Sequence, residues 1–508
     1  MSEHRKLRLT TETDSIRWHE WSASTFARAA RDFKPVLLAL GPAWCRWTAE
    51  MDQVAYHDPE VVRLVQECFV AVRVDADRRP DVSERYTLRG WPTTAFLTSG
   101  GHILGGGTYL EPALLVRVLH QVVEAFATRG GEISAAAVGP AAYDGPVASD
   151  DVELDPAAGQ WLELQLTACF DQTWAGFGAA AKRVHAPALL AVLLGDRGDA
   201  PVLQKEIVTR TLDAIATRGL ADPVEGGFYR YCEQADWSAP QVEKVLTVNA
   251  DLLELYLSAA RVFDRPEYGE RASATIRFIH ETFADQDGGF FSSQRADPVY
   301  AALATREARL EHGSPSVDRT VYTDASARMA SAYVMAASVL DDSSLLEFAA
   351  ATVDRVLAAT YERGRGVGHV ASGVPDVRGL LTDQVAASEA LLDLYEACGQ
   401  EIYLDMPQEL MAYCEHEMWE DRNGFRDRSR LPLPDTDGPI GLLQEPHHPF
   451  GLNCRAAGVL ARLASQLEDA RYRTLAVRTL ASQTALYQQH GLDGAAYVLA
   501  LSRIEAVD

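Results

Sequence analysis

Residues 35–52 read PVLLALGPAWCRWTAEMD. The apolar run 35–40 begins at Pro35 and ends before a glycine, which predicts a short buried strand. The residues that follow have helical spacing, so Cys45 is predicted to lie near the N-terminus of a helix. The positive end of a helix dipole and the unpaired N–H groups there favour a thiolate, which predicts a reactive thiol at this position.

Three more strands and a closing helix are predicted in the next part of the chain, with the strands at 69–75, 93–98 and 101–107 and the amphipathic helix at 111–127. This order of strands and helices fits a thioredoxin-like α/β sandwich. The sequence GWPT places Pro92 just before a strand, where such folds hold a cis-proline against the reactive sulfur. We therefore predict a cis Trp91–Pro92 bond and a thioredoxin-like domain over residues 1–127.

The position of a second, resolving cysteine is occupied by Thr48. A threonine can donate a hydrogen bond to a thiolate but cannot displace a mixed disulfide. A two-cysteine cycle would need a distant cysteine, and Cys68, at the edge of a strand, is predicted to be a core residue. Cys45 is therefore either a lone nucleophile or a vestigial one. The candidate binding residues around it are Trp44, Trp47, Thr48 and Pro92.

The composition limits the classes of function. The 508 residues carry a net charge of −25, which argues against nucleic-acid binding because phosphate contacts need clustered lysine and arginine. No apolar run reaches the roughly 18 residues of a membrane span, and residues 1–14 lack the apolar core of a signal peptide, so we expect a cytoplasmic protein without membrane partners. Seven scattered cysteines do not indicate a disulfide framework. No nucleotide or metal signature occurs, so we predict no cofactor and no metal.

Residues 128–155 are rich in Gly, Ala, Pro, Ser and Asp without periodicity, which predicts a linker. Helical periodicity dominates residues 156–508. Twelve amphipathic segments begin near residues 158, 187, 200, 241, 266, 320, 343, 381, 403, 450, 470 and 493. A Gly-aromatic phrase recurs between them as WAGFG at 174, EGGFYR at 225, DGGFFS at 287 and RNGFRD at 422, with RGRGVGH at 363 as a weaker copy. Six such hairpins that close on themselves predict an (α/α)6 barrel.

These motifs resemble the family of spermatogenesis-associated protein 20, in which a thioredoxin-like domain precedes a long helical half. The family pattern Cys-His-Trp-Cys-His-x-Met is matched at Cys45, Trp47 and Met51, while Arg46, Thr48 and Ala49 replace its other members. The segments VDADRRPD at 74–81 and GWPT also match.

The resemblance extends into the helical half, through AGFGAAAKRVHAPALL at 175–190 and the stretch 226–253. In that stretch Glu243, Lys244 and Asn249 match the family, whereas Gln241 and Val248 stand where it has histidine and aspartate. The departures fall on polar residues, so the resemblance implies the family fold with an activity that is altered or lost.

In barrels of this kind the loops at one end form a pocket where aromatic rings stack on sugars and carboxylates act as acid and base. The candidate catalytic residues are Glu243 and Asp383, together with Cys45. The candidate binding residues of the barrel are Asp171, Tyr229, Arg230, Asp236, Trp237, Lys244, Asn249, Tyr322 and Asp324. A competing interpretation is that Glu243 and Lys244 simply open a helix after Pro240, where the dipole favours an acidic residue. The thirteen histidines show no paired placement at hairpin ends.

The sequence therefore predicts a two-domain protein in which a single-cysteine thioredoxin-like module is joined to a carbohydrate-binding or carbohydrate-processing barrel. Its ligand would be a small sugar or thiol, and its role thiol redox chemistry or sugar modification. One alternative is a glycoside hydrolase or sugar epimerase with a purely structural thioredoxin-like domain. Another is a catalytically silent ligand-binding or scaffold protein.

Overall fold

The computed structural model describes residues 15–136, 153–195, 202–372, 377–430 and 438–506. The chain divides into two compact units, of which unit 1 comprises Met1–Tyr143 and Pro432–Glu445 and unit 2 comprises Asp144–Leu431 and Pro446–Asp508. Within the described ranges, no helix is both long enough and apolar enough to cross a membrane.

Unit 1 contains a four-stranded sheet made of β1 (Val36–Leu40), β2 (Val70–Val74), β3 (Thr93–Leu97) and β4 (Ile103–Gly107). The strand order is β2-β1-β3-β4, with β1 and β2 parallel and the other two pairs antiparallel. Its helices are α1 (Ala23–Arg31), α2 (Arg46–Val54), α3 (Pro59–Cys68), α4 (Pro80–Tyr86) and α5 (Pro112–Ala136). The predicted thioredoxin-like arrangement is confirmed, and the Trp91–Pro92 bond is cis, as predicted.

Both faces of this sheet are covered. Val36, Leu38 and Leu40 pack into one apolar cluster, and the alternate residues Leu37 and Ala39 pack into a second one on the opposite face. This two-sided burial explains why β1 is a continuous apolar run instead of an alternating one.

One of these clusters includes residues from far along the chain. The returning segment, residues 438–445, contributes the buried Leu442 and Leu443 to it. The hydroxyl of Tyr86 accepts a hydrogen bond from Leu442 N (2.9 Å), and Arg85 Nε donates to Leu442 O (2.9 Å). A Cβ on Gly441 would lie 2.6 Å from the carbonyl oxygen of Gly101, so only glycine fits there.

Helix α5 continues to Ala136, nine residues into the segment that the sequence predicts to be a linker. The difference has a simple cause, because extending an existing helix adds one hydrogen bond per residue and needs no new nucleus. Residues 137–152, which complete most of that predicted linker, lie outside the described residues.

Unit 2 is predominantly helical. Its twelve principal helices are α6 (Ala158–Cys169), α7 (Ala186–Gly195), α8 (Val202–Thr217), α9 (Leu246–Val262), α10 (Pro266–Thr282), α13 (Thr323–Val339), α14 (Ser343–Thr360), α15 (Leu381–Cys398), α16 (Ile402–Met418), α17 (Phe450–Leu467), α18 (Ala470–Ala481) and α19 (Ala495–Glu505). Two short helices, α11 (Pro298–Ala302) and α12 (Arg306–His312), lie between α10 and α13. All twelve principal helices begin within about five residues of the predicted starts.

Alternate helices form a closed inner ring. In the order α7, α9, α13, α15, α17, α19, each helix contacts the next, and α19 contacts α7. Helices α6, α8, α10, α14, α16 and α18 are their outer partners. The ring confirms the predicted (α/α)6 barrel.

The connections between helices differ in length at the two ends of the barrel. Links from an inner to an outer helix are short, as at 263–265, 340–342 and 468–469, and Asp342 and Asp469 cap the outer helices that follow. Links from an outer to an inner helix are long and carry the short strands β5 (Tyr231–Cys232), β6 (Pro240–Gln241), β7 (Lys244–Val245), β8 (Ser293–Gln294), β9 (Val317–Asp318), β10 (Trp419–Glu420) and β11 (Gly424–Phe425). The elaborated end is therefore the one at the N-termini of the inner helices.

Candidate functional site

The Gly-aromatic phrase forms a turn of recurring construction. Asp222 accepts a hydrogen bond from Val224 N (2.9 Å) on one carboxylate oxygen and from Lys244 Nζ (2.6 Å) on the other. Lys244 Nζ also donates to the carbonyl of Gly226 (3.0 Å). A cation thus holds both an acidic residue and the glycine carbonyl of the same turn.

The first turn of the barrel repeats this arrangement. Asp171 accepts from Thr173 N (2.8 Å) and from Lys182 Nζ (2.7 Å), and Lys182 donates to the carbonyl of Gly178 (2.9 Å). In the third turn Arg355 Nη1 takes the place of the lysine and binds Asp285 at 2.8 Å. These contacts explain the recurrence in the sequence.

A side-chain amide completes three of the turns. The Oδ1 atom of Asn249 accepts from Phe228 N (2.8 Å), and its amide nitrogen donates to Phe228 O (3.1 Å). Gln384 does the same for Val367, and Asn453 for Phe425. Each amide comes from the first turn of the inner helix that follows, so it fixes the turn to that helix.

Several predicted binding residues are therefore engaged in these turns. Asp171, Lys244 and Asn249 have the partners given above. Trp237 is fully buried and its Nε1 donates to the carbonyl of Trp174 (3.1 Å), while Asp236 accepts from Ser238 N (2.9 Å). These contacts stabilise the loop end of the barrel and do not require a ligand.

Glu243, Arg230 and Tyr229 lie on the long link before α9. Glu243 is fully buried, with an Oε1 atom 3.7 Å from Arg230 Nη1. The prediction that Glu243 and Lys244 open a helix is wrong, because Lys244 begins the strand β7 and α9 starts at Leu246. The Tyr229 ring is buried 5.4 Å from Lys244 Nζ, and this burial raises the pKa of its hydroxyl.

A second group of polar residues meets where two neighbouring inner helices begin. Asp324 is the second residue of α13, Asp383 is the third residue of α15, and His369 lies on the link between α14 and α15. One ligand-type atom of each side chain lies within 4.8 Å of the others. We call these three residues the DHD cluster.

The backbone holds His369 in place. Its N–H donates to Val377 O (2.8 Å), and its carbonyl accepts from Thr323 N (2.9 Å), the first residue of α13. The imidazole Nδ1 lies 2.9 Å from Asp383 Oδ1, and the ring packs 5.0 Å from that of Tyr322. The link that carries His369 is thereby tied to both inner helices.

The environment disfavours charge on Asp383. Burial and the nearby Asp324 raise the pKa of its carboxyl, although His369 opposes the shift. Asp383 is fully buried, and its Oδ2 atom has no hydrogen-bond partner. An unsatisfied buried carboxylate oxygen is costly, which marks it as an atom available to a ligand.

Below the DHD cluster, charged side chains face the axis of the ring. Arg328 of α13 pairs with Asp251 of α9, and Arg455 Nε of α17 lies 3.1 Å from Glu389 of α15. Arg455 also interacts electrostatically with Asp324 and with Asp251 on the far side of the ring. Because α9 and α17 are not neighbours, this interaction crosses the interior. Asp251 and Arg328 each keep 32% of their side-chain surface exposed, so water reaches the lumen.

Glu254 lies one turn further along α9 in the same lumen. Burial and the charge of Asp251 raise the pKa of its carboxyl to about 7, with Arg503 opposing the shift. Asp393 of α15 adds to the increase. The interior of the ring therefore favours the protonated form of Glu254 over its carboxylate.

Among the described residues, the DHD cluster is the set of His, Cys, Asp and Glu side chains close enough together to be considered for a metal ion. It offers one nitrogen and two carboxylates, a donor set that suits zinc or manganese. The hydrogen bond between His369 and Asp383 equally well defines an acid–base pair without a metal.

In unit 1, Cys45 is the residue before α2 and is 1% exposed, with a free thiol. Trp44 donates from Nε1 to Asp77 (2.7 Å), and Trp47 packs edge-on to Tyr109 at 5.6 Å. The hydroxyl of Thr48 is buried without a hydrogen-bond partner. The thiol occupies the predicted helix terminus but lies below the surface. Contact between Pro92 and Cys45 stays a prediction.

The structure brings Asp324 and Asp383 together and keeps Glu243 at the same end of the barrel, three residues before α9. Helix α13 stands between α9 and α15 in the ring. His369, Asp251 and Glu254 were missed. Two features of the sequence point to these residues. His369 ends the turn-forming phrase RGRGVGH, and Asp251 and Glu254 are three residues apart and so lie on one face of a helix.

Comparisons with known proteins agree with this architecture. Residues 2–139 match the family described as Thioredox_DsbH, protein of unknown function, DUF255. Human spermatogenesis-associated protein 20 is 27% identical over 311 residues, which cover 56% of this chain and 39% of the human protein. The chain thus matches about two fifths of that relative's length.

Two sugar enzymes are similar to parts of this chain. A cellobiose 2-epimerase of Bacteroides fragilis is 33% identical over 100 residues, 19% of this chain and 25% of the epimerase. The solved structure of a D-mannose isomerase superposes with a TM-score of 0.54 at 11% identity, covering 69% of this chain and 99% of the isomerase. The structural likeness, at that identity, concerns the fold alone.

Thus the N-terminal sheet, the closed ring of six hairpins and the matches to named relatives agree with the resemblance seen in the sequence: the chain is similar to spermatogenesis-associated protein 20, and its residues 2–139 match the DUF255 family.

Proposed function

We propose that the barrel binds a small sugar in its lumen and interconverts its aldose and ketose forms, with His369 as the base. The observation that carries the proposal is the buried His369–Asp383 pair, in which Asp383 Oδ2 has no partner. A buried pair of titratable groups at the elaborated end of a barrel is typical of acid–base sites.

His369 is oriented for proton transfer by its contact with Asp383. When Nδ1 donates to Asp383 Oδ1, the basic lone pair of the imidazole lies on Nε2. Nε2 then removes the proton from the carbon beside the carbonyl of the open-chain sugar, and the electron pair forms an enediolate. Return of that proton to the adjoining carbon gives the isomer, so no oxidant or reductant is consumed.

The carboxyl groups of the DHD cluster handle the oxygen-bound proton. Asp383, whose pKa burial raises, can donate a hydrogen bond to the enediolate, and Asp324 can accept one from a sugar hydroxyl. One histidine suffices for isomerisation, whereas epimerisation needs a second group on the opposite face of the sugar. The presence of a single histidine in the cluster therefore favours an isomerase.

The test is exchange of solvent deuterium into an aldose at the carbon beside the carbonyl, followed by NMR in D2O. Replacing His369 by glutamine should slow exchange about 100-fold or more, because general base catalysis contributes about that much. His185→Gln is the matched control, since His185 also pairs with an aspartate, Asp493 at 2.9 Å, outside the cluster.

Equal rates for His369→Gln and the unmodified protein would refute the assignment. Chelation with EDTA should leave the exchange rate unchanged. Loss of exchange that added zinc or manganese restores would instead make His369 a metal ligand.

A second function, at Cys45, is favoured by its position at the N-terminus of α2. There the thiolate would attack the disulfide of an oxidised small thiol, forming a mixed disulfide and releasing one thiolate. Position 48 is a threonine and cannot resolve the mixed disulfide, so a second thiol from solution would have to attack the mixed disulfide and release Cys45.

A further inference from the structure

The lumen of the inner ring holds more acidic than basic side chains. Six carboxyl groups face it within the described residues, those of Asp251, Glu254, Asp324, Asp383, Glu389 and Asp393. Four guanidinium groups accompany them, those of Arg328, Arg455, Arg462 and Arg503. Not every carboxyl group of the interior can therefore pair with a guanidinium group.

Three of these arginines are committed to ion pairs. Arg328 binds Asp251, and Arg455 binds Glu389. Arg462 lies 2.8 Å from Asp393 and 2.9 Å from Glu396, so two carboxylates share it. The fourth, Arg503, lies close enough to Glu254 and Glu389 to act on both electrostatically.

The acidic groups, in contrast, are not all compensated. Asp383 has an oxygen without a hydrogen-bond partner, and Asp324 adds a second carboxylate beside it. Burial, together with the charges of Asp251 and Asp393, raises the pKa of the Glu254 carboxyl to about 7. A cationic group that entered the lumen would stabilise the ionised forms of Asp324, Asp383 and Glu254.

We propose that the substrate of this site is an amino sugar that enters with its amine protonated. The proposal rests on the sugar-binding function proposed above and adds the charge of the ligand to it. The ammonium group would replace the missing positive charge beside Asp324 and Asp383, and the hydroxyl groups would bind the ion-paired carboxylates below. A phosphorylated sugar would meet uncompensated carboxylates and arginines that are already bound.

The experiment compares three sugars that differ only in charge, using the full-length protein and isothermal titration calorimetry at one ionic strength. The probes are D-glucosamine, D-glucose and D-glucose 6-phosphate, with the manno and galacto forms of each, at a pH where the amine is protonated. The amino sugar should bind at least tenfold more tightly than the neutral sugar, and the phosphate more weakly than either.

Two variants tie the preference to the lumen. Asp324→Asn should weaken binding of the amino sugar severalfold more than binding of the neutral sugar, because it removes the negative charge and keeps an oxygen that can accept a hydroxyl hydrogen bond. Glu347→Gln on the exposed side of α14 is the control and should change neither value.

The outcomes separate the two proposals. Neutral and amino sugars that bind equally, with His369-dependent deuterium exchange intact, would overturn the charge preference and leave the isomerase function standing. Tighter binding of the phosphate would overturn it as well. A selective amino-sugar complex without deuterium exchange would overturn the isomerase function alone, and failure of all nine sugars to bind would overturn both.

Discussion

Two buried clusters of charge lie at the same end of the barrel, and they differ in how completely their atoms are satisfied. Around Asp222, both carboxylate oxygens accept hydrogen bonds, from Lys244, Arg309 and backbone N–H groups. Around Asp383, one oxygen has a partner and the other has none.

The pKa directions of the two carboxyls follow from this difference. Burial acts to raise both, but Lys244 and Arg309 outweigh it at Asp222 and hold its pKa at about 2. At Asp383 burial prevails, and the pKa stays above its usual value. A buried carboxylate whose two oxygens both accept hydrogen bonds stabilises the fold, whereas a buried carboxylate with an unsatisfied oxygen is available to a ligand.

The largest expected effect is the contrast between Asp222→Asn and Asp383→Asn in unfolding by urea. Asp222→Asn should lower the free energy of unfolding by about 3–5 kcal/mol, because it leaves Glu225 as the remaining carboxylate beside the buried Lys244 and Arg309 charges. Asp383→Asn should change the free energy of unfolding by less than about 1 kcal/mol, because a negative charge on this buried carboxyl is unfavourable in the folded protein. Similar losses for the two variants would contradict the distinction.

Glu254 and Asp222 should give stability changes of opposite sign with pH. A raised pKa in the folded state means that the Glu254 contribution is present below about pH 4.5 and is lost as pH rises to about 7. The loss is at most about 3 kcal/mol and is reduced by the water that reaches the lumen. Glu254→Gln should flatten the stability profile in that window.

The depressed pKa of Asp222 acts in the other direction. Its contribution of about 2 kcal/mol is present above pH 4 and is lost as pH falls towards 2. Chemical denaturation across this range checks both signs. A Glu254→Gln profile that is parallel to that of the unmodified protein between pH 4.5 and 7 would show that Glu254 is ionised throughout.

A smaller contrast is expected between two neutral groups. Asn453→Leu removes both hydrogen bonds to Phe425 and should cost about 1–3 kcal/mol, because a buried N–H and C=O lose their partner. Ser388→Ala should cost close to nothing, since the Ser388 hydroxyl is buried without a partner. Thermal unfolding of both variants, with Ser344→Ala at an exposed helix start as reference, measures the difference.

The smallest effect concerns the alkylation of Cys45 by iodoacetamide, which should be slow in the folded protein because 1% exposure limits access to the thiol. Peptide mapping after mild oxidation should show no disulfide between Cys45 and Cys68. Alkylation of Cys169, which is exposed, supplies the reference rate. A Cys45 that reacts only after denaturation would be a packed core residue.

The elements of both units could be predicted because their signals are local. The run PVLLAL and the twelve amphipathic segments each show their periodicity within a few turns of chain. The DHD cluster could be predicted only in part, since Asp324 and Asp383 lie at visible helix starts. The approach of His369 to Asp383 depends on the path of a link that periodicity does not describe.

For Asp171, Lys244 and Asn249 the sequence predicts ligand binding, but the structure shows contacts that hold turns. Their polarity and spacing are typical of a binding site, but they are equally typical of side chains that hold a turn through hydrogen bonds. Only the recurrence of the arrangement at Lys182, Arg355 and Gln384 distinguishes a structural role, and the cations there differ in type and in distance along the chain.

The returning segment has a consequence for biosynthesis. The sheet of unit 1 and its helices are complete by Ala136, but Leu442 and Leu443 of the same apolar cluster are translated about 300 residues later. At about 5–20 residues per second, the nascent N-terminal unit waits roughly 15–60 s with part of its apolar surface uncovered. During that interval it is a candidate for chaperone binding, and a ribosome stalled before residue 438 would display an N-terminal unit that lacks its last two core leucines.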